Sequence, residues 1–174
     1  ERINPATTLT TSRGCPYNCS FCVSTQMTGR RWRWRSVERI VDEVQRIRNL
    51  GFRGIFFVDD NIAVDIDRVF KMCDMMIERK LDIRWWGMAR ADTIVRNERM
   101  VRRMAQSGCS TIFMGIESAS DRVLAQYDKK STVNTSVRAC QILSKNGIRV
   151  QGSFMLGGPI ETVRDMKTTI DYAC

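Results

Sequence analysis

Strands and helices alternate along this chain, and the sequence predicts an α/β protein built on a parallel sheet. Two observations carry that prediction. Apolar residues recur at three-to-four spacing in several helix-length windows, some closed by glycine or Asn-Gly. Between them lie short runs of β-branched and aromatic residues, the mark of strands buried on both faces. Such a series folds as a doubly wound sheet or as a (β/α) barrel, and in both the C-terminal ends of the strands collect function.

Thr7 to Thr11 is the first expected strand. A helix follows from the spacing of Val37, Ile40, Val41, Val44, Ile47 and Leu50, with Ser36 as its cap and Gly51 as its stop. Gly54 to Val58 reads as the next strand and ends in Asp59-Asp60-Asn61. The alternation continues with a helix from Ile66 to Arg79, a strand from Ile83 to Ala89, and a helix from Glu98 to Gln106 that Gly108 stops. A strand from Thr111 to Ile116, a helix from Thr135 to Lys145 and a strand from Ile148 to Leu156 come next. The last helix, from Thr162, is still running at Cys174. Five such units cannot close an eight-unit barrel, which takes at least ~200 residues, so the expectation is one domain that is a fragment.

Composition narrows the chemistry. The 174 residues contain no histidine, which excludes Ser-His and Cys-His nucleophile pairs and every His-containing zinc or haem site. Metal chemistry here must run through cysteine or carboxylate. No apolar run approaches the ~18 residues of a membrane span, and Glu1 to Pro5 show no signal pattern. Seven cysteines, an odd count in a chain able to build a core, argue against a secreted disulfide framework and for a soluble, cytoplasmic protein. The net charge of +9 suggests an anionic partner.

Directly after the first expected strand, Arg13-Gly14-Cys15-Pro16-Tyr17-Asn18-Cys19-Ser20-Phe21-Cys22 gathers three cysteines at x3 and x2 spacing in a loop. Structural zinc wants four ligands, and so does an electron-carrying iron–sulfur cluster. Cys73 shares an apolar helix stripe with Val69, Phe70 and Met76, Cys109 and Cys140 read as core, and Cys174 ends the chain. The third reading uses this deficit: three thiolates hold three irons of a cubane cluster and leave the fourth iron open.

Cys-x3-Cys-x2-Cys with an aromatic residue, Phe21, before the third cysteine resembles the radical S-adenosylmethionine (radical SAM) superfamily. The resemblance covers nearly the whole chain. It implies a partial (β/α)6 TIM-like barrel, truncated here after about five βα units, with the sixth unit and any flanking domain absent. By the same resemblance Cys15, Cys19 and Cys22 bind a 4Fe-4S cluster. S-adenosylmethionine chelates the open iron and is cleaved reductively to a 5′-deoxyadenosyl radical that abstracts hydrogen from a substrate. A reductant such as flavodoxin or ferredoxin is implied. Where the family often has Gly-Gly-Glu to receive the methionyl amino group, this chain has Asp59-Asp60-Asn61, and either Asp59 or Asp60 can accept from an ammonium. Glu117 and Ser118, in Gly115-Ile116-Glu117-Ser118, resemble the segment that meets the ribose and the methionyl carboxylate. Arg90 would point to the same mouth, where a guanidinium suits a carboxylate. The Gly152 to Glu161 segment matches too loosely to assign a contact.

Asp-Asp-Asn, Ala-Arg-Ala-Asp and Gly-Ile-Glu-Ser at successive strand ends look together like the cobalamin-linked branch, which includes methyltransferases and oxidative cyclases. Its cobalamin would be held by a domain not in this chain, and the substrate is unknown. Arg30, Arg31, Arg33 and Arg35 interleave with Trp32 and Trp34, which suits single-stranded RNA, as in transfer-RNA methylthiotransferases, or an edge strand with one buried face. A redox or structural iron–sulfur module with a fourth ligand from elsewhere is a further alternative. Met72, Met75, Met76, Met100 and Met104 read as core filler. Glu38, Asp42 and Glu43 read as a solvated helix face with Glu43 pairing Arg46.

Overall fold

The computed structural model describes residues 5–174. The reading of the first residues as lacking a signal pattern falls mostly on 1–4, outside the described residues. The elements are β1 (Ala6–Leu9), β2 (Ser12–Arg13), α1 (Val23–Thr28), β3 (Arg33–Trp34), α2 (Val37–Asn49), β4 (Gly54–Phe57), α3 (Ile66–Glu78) and β5 (Arg84–Met88). They continue as α4 (Ala91–Arg96), α5 (Glu98–Gln106), β6 (Cys109–Glu117), α6 (Asp121–Gln126), α7 (Val133–Lys145), β7 (Arg149–Phe154) and α8 (Val163–Ala173).

Five strands pair in parallel in the order β1-β4-β5-β6-β7. That order follows the chain without reversal, whereas a doubly wound sheet reverses at a switch point. The helices keep the same order, α2 against α3, α3 against α5 and α5 against α7, and so form one layer. The sheet is the arc of a (β/α) barrel, as the sequence predicts. Its core is apolar: Ile40, Val41 and Val44 of α2, Ile55 and Phe57 of β4, and Trp85 of β5 are fully buried. Met72, Met76, Met100 and Met104 lie in the same core, as do Cys73 and Cys109. Cys140 only packs against it.

Several expectations need correction. The first strand ends at Leu9, two residues early, because Thr11 turns its N–H to Asp59 instead of to a neighbouring strand. The fifth ends at Phe154, because its partner β6 ends at Glu117, the residue paired with Phe154, and Leu156 beyond it is exposed. Strict alternation also misses the short helices α1, α4 and α6. Each has six residues, too few to display a periodic stripe. Ser36 stands at the start of α2 but makes no capping bond through its side chain. The acidic face of α2 is not merely solvated: Glu38 pairs with Lys71 on α3, Asp42 with Arg79 just past its end, and Glu43 with Arg35 rather than Arg46. The Arg/Trp strip is not an edge strand of the sheet. It pairs antiparallel with Ser12–Arg13 as a separate ribbon, with Arg33 and Trp34 both exposed. None of the helices is long and apolar enough to cross a membrane among the described residues.

Candidate active site

The three cysteines line one cavity of about 170 Å³, together with Tyr17, Phe21, Asp60, Asn61, Arg90, Gly115, Glu117 and Lys129. It lies where parallel strands of such a fold collect function, past the ends of β4, β5 and β6. Two anchors shape the cysteine loop. Gly14 has φ +85, and a Cβ there would collide with the Arg31 carbonyl oxygen, so only glycine suits that close approach. Its N–H donates to Asp60 at 3.0 Å. On the other flank Ser20 N–H donates to the Tyr127 carbonyl (3.0 Å) and Phe21 meets the Tyr127 ring edge-on at 5.4 Å.

All three thiols are half-buried. Burial pushes the Cys15 thiol above its ordinary value, while the Tyr17 backbone and the Arg90 charge pull it back. Among the described residues no three Cys, Asp or Glu side chains converge tightly enough for a single metal ion. A lone zinc would gather its thiolates at ~2.3 Å from one point. The three thiols share one cavity, whereas Cys73 and Cys109 are held in the core.

Asp59 and Asp60 separate cleanly. Asp59 is fully buried and accepts from Thr11 N–H (2.7 Å) and the hydroxyls of Thr11 and Ser12. It also supports Arg68, whose guanidinium donates to Thr11. Asp59 thus ties the sheet to the loop and is not on the cavity wall. Asp60 is on that wall, accepting from Gly14 N–H and from Ser24 Oγ at 2.8 Å. Beside it, Asn61 is buried and its Oδ1 accepts from Ala63 N–H, which leaves Nδ2 unpartnered at the cavity. An orphaned buried donor in the lining is a place for an acceptor from a bound molecule.

The opposite wall comes from the end of β6. Its register slips between Gly115 and Glu117, and Glu117 takes φ +70, a conformation costly for a non-glycine residue. This bulge turns the Glu117 carboxylate back over Gly115, where a Cβ would collide with it. Lys129 Nζ donates to Glu117 Oε1 at 2.8 Å, both side chains being buried, and lies 5.6 Å over the Phe21 ring. Ser118 points elsewhere: it is fully buried, lies 3.3 Å from Thr169 Oγ1 and accepts from Ser120 N–H. The expectation that Ser118 faces the mouth is therefore corrected.

Arg90 reaches the mouth but is already engaged. Its Nε donates to Asp92 (2.9 Å), Nη2 to the Lys129 carbonyl (2.6 Å) and Nη1 to Cys19 Sγ (3.4 Å). Its guanidinium also stacks 3.9 Å over Tyr17. The group that sequence assigns to a bound carboxylate sits instead against the Cys19 thiol. Sequence reasoning missed Tyr17, Asn61, Gly115 and Lys129. Asn61 and Gly115 stood inside motifs already singled out, whereas Lys129 lies twelve residues past Glu117 and only the fold returns it.

The sequence profile of the Radical SAM superfamily matches residues 9–173. The chain belongs to the radical SAM superfamily. Among its relatives, the uncharacterized methyltransferase PH0819 of Pyrococcus horikoshii is 37% identical over 170 residues, covering 97% of this chain and 37% of that protein. The anaerobic magnesium-protoporphyrin IX monomethyl ester cyclase of Rubrivivax gelatinosus is 29% identical over 163 residues, covering 93% of this radical SAM chain and 29% of the cyclase. Among solved structures, the cobalamin-dependent S-adenosylmethionine radical enzyme OxsB, with aqua-cobalamin and S-adenosylmethionine bound, superposes with TM-score 0.86 at 27% identity, over 96% of this chain and 26% of OxsB. This radical SAM chain thus spans between 26% and 37% of the length of these relatives.

Proposed function

We propose that this chain is the radical SAM core of a longer cytoplasmic enzyme of the cobalamin-linked methyltransferase or cyclase type. The observation that carries this reading is the single cavity in which Cys15, Cys19 and Cys22 face Asp60 and Asn61 on one side and Glu117 and Lys129 on the other. Bound there, a 4Fe-4S cluster with one iron free of protein ligands would supply, with S-adenosylmethionine, the one-electron cleavage that starts radical chemistry.

This chain's residues hold and orient. Asp60, already fixed by Gly14 and Ser24, offers a carboxylate oxygen to the methionyl ammonium, and Asn61 Nδ2 offers a donor beside it. Glu117 accepts from ribose hydroxyls, and Lys129 takes over the donor role for the methionyl carboxylate expected from sequence of Ser118 and Arg90, both engaged elsewhere. Phe21 closes the cavity on the loop side. Relatives that are cyclases or methyltransferases, and cobalamin in OxsB, support the branch; the cobalamin itself would be held outside these 174 residues.

The test uses the full-length protein, reconstituted anaerobically with iron and sulfide, reduced with dithionite and given S-adenosylmethionine. Reductive cleavage appears as 5′-deoxyadenosine, and Asp60→Ala and Lys129→Met each raise the S-adenosylmethionine KM about tenfold or more while cluster content stays unchanged. A cluster-loaded protein that never cleaves the cofactor contradicts the proposal.

A further inference from the structure

The segment between the third cysteine and α2 meets the cavity through Thr25 in its lining and Ser24, which holds Asp60, and on its outer side it carries a patch of unusual make-up. Helix α1 buries none of its residues, and Val23 and Met27 are 62% and 79% exposed. Trp34, on the ribbon that follows, is 58% exposed. Arg30, Arg31 and Arg33 are exposed on the same stretch and have no acidic partner among the described residues, whereas Arg35 is spent on Glu43. Apolar side chains set among unpaired arginines have the anatomy of an interface, where tryptophan and arginine are the residues that carry binding.

The patch is tied to the cysteines. Val23 directly follows Cys22, so their Cα atoms are about 3.8 Å apart, and Arg13 of the ribbon is within about 7 Å of Cys15 along the chain. Gly14 packs against the Arg31 backbone. The cavity side of the cysteine loop is reserved for the reacting molecule, so electrons must come in from another face.

We propose that α1 and the Arg/Trp ribbon form the docking surface for an acidic one-electron donor protein. The inference rests on the radical SAM reading above, since only a redox group held by the cysteines needs such a partner. One electron leaves the donor's reduced iron–sulfur centre and enters the group held by Cys15, Cys19 and Cys22; no bond forms and no proton moves. Charge complementarity selects an acidic protein and steers its approach. The arrangement favours protein over single-stranded RNA, because Trp32 is taken up by Trp34 at 4.5 Å and by the Arg68 guanidinium at 5.7 Å. That leaves Trp34 as the one exposed indole of the strip, where a stacking platform needs several. A small, charged patch also matches the modest area of electron-transfer encounters.

The experiment compares cluster reduction in full-length, reconstituted protein by two reductants: an acidic ferredoxin in its reduced form, and dithionite. In the wild type the ferredoxin rate falls with added salt. In Arg31→Glu/Arg33→Glu it drops about tenfold or more and loses its salt dependence, while the dithionite rate is unchanged. The milder Arg33→Gln, which keeps the ribbon backbone, lowers the ferredoxin rate and the salt slope partway. An unchanged ferredoxin rate, which a surface covered by another part of the chain would also give, overturns the docking site. So does equal slowing with dithionite in both variants, which marks a structural role, or single-stranded RNA that competes with ferredoxin for the patch. Failure of the dithionite-reduced wild type to cleave S-adenosylmethionine overturns the radical SAM reading itself and leaves the ferredoxin comparison separately readable.

Discussion

Asp59 and Asp60 are adjacent, chemically identical and equally eligible in sequence, and the structure predicts opposite consequences when each is removed. Asp59→Ala takes away a fully buried carboxylate that accepts three hydrogen bonds, leaves the Thr11 N–H without its acceptor and leaves the buried Arg68 with Asp65 as its remaining favourable negative charge. A hydrogen bond to a charged group contributes roughly 1.5–3 kcal/mol, and a buried donor left without its partner costs roughly 1–3 kcal/mol more. The three bonds share one carboxylate and do not add in full, so we expect a loss of roughly 3–5 kcal/mol. For a domain of this size each kcal/mol moves Tm by roughly 2–4 °C, which gives a fall of roughly 6–20 °C. Asp60→Ala removes an exposed carboxylate holding Gly14 and Ser24, with a much smaller loss of stability but weaker S-adenosylmethionine binding. The assay is urea unfolding of both variants followed by circular dichroism, paired with cofactor titration. Unfolding of Asp59→Ala within about 1 kcal/mol of the wild type, or equal loss in both variants, refutes the division of labour.

Three further outcomes follow. Gly115→Ala drives a Cβ into the Glu117 carboxylate and to 2.9 Å from Lys129 Nζ, so it weakens S-adenosylmethionine binding about tenfold or more, measured by calorimetry on the reconstituted protein. Arg90→Met removes the cation beside Cys19 and lowers the cluster's reduction potential by roughly 60 mV, a tenfold change for one electron, whereas Arg90→Lys restores most of it; the check is a redox titration. Burial pushes the Cys73 thiol from 9.0 up to about 12. The unfolded thiol therefore ionises first: the contribution is intact below pH 9 and is lost as pH rises towards 12, at up to about 1.4 kcal/mol per pH unit. Urea midpoints of Cys73→Ala should be flatter with pH across that window than those of the wild type.

The frame was readable because its signals are local. The stripe Val37, Ile40, Val41 and Val44 and the run Ile55 to Phe57 each announce their element through a dozen residues or fewer, and glycines mark the stops. The three cysteines were readable for the same reason, since their spacing is itself the signal. What sequence does not carry is direction. Asp59 turns inward and Asp60 outward because Thr11 and Ser12 from β1's end offer the first a set of donors, and those donors come from residues 47 and 48 positions away. Arg90 looked free because Asp92, Cys19 and the Lys129 carbonyl converge on it only in the fold. Lys129 was invisible for the converse reason: its neighbours Asp128 and Lys130 make the stretch read as a solvated charge run, yet it is buried against Glu117. The left-handed Glu117 depends on a bulge against β7, which no property of Gly-Ile-Glu-Ser encodes.

The loop and its far wall are also one mechanical unit. Ser20, Phe21 and Arg90 all bond or pack to the stretch 126–129, so the cysteine loop and the Lys129 wall are held by shared contacts.

The measurement that tests the central claim most directly is electron paramagnetic resonance of the anaerobically reconstituted, reduced protein with and without S-adenosylmethionine, beside Cys19→Ala. Three thiolates around an open iron predict a cubane signal that changes when S-adenosylmethionine is added, and its absence from Cys19→Ala. A cubane signal indifferent to S-adenosylmethionine, or a protein that takes up zinc and forms no cluster, contradicts the account.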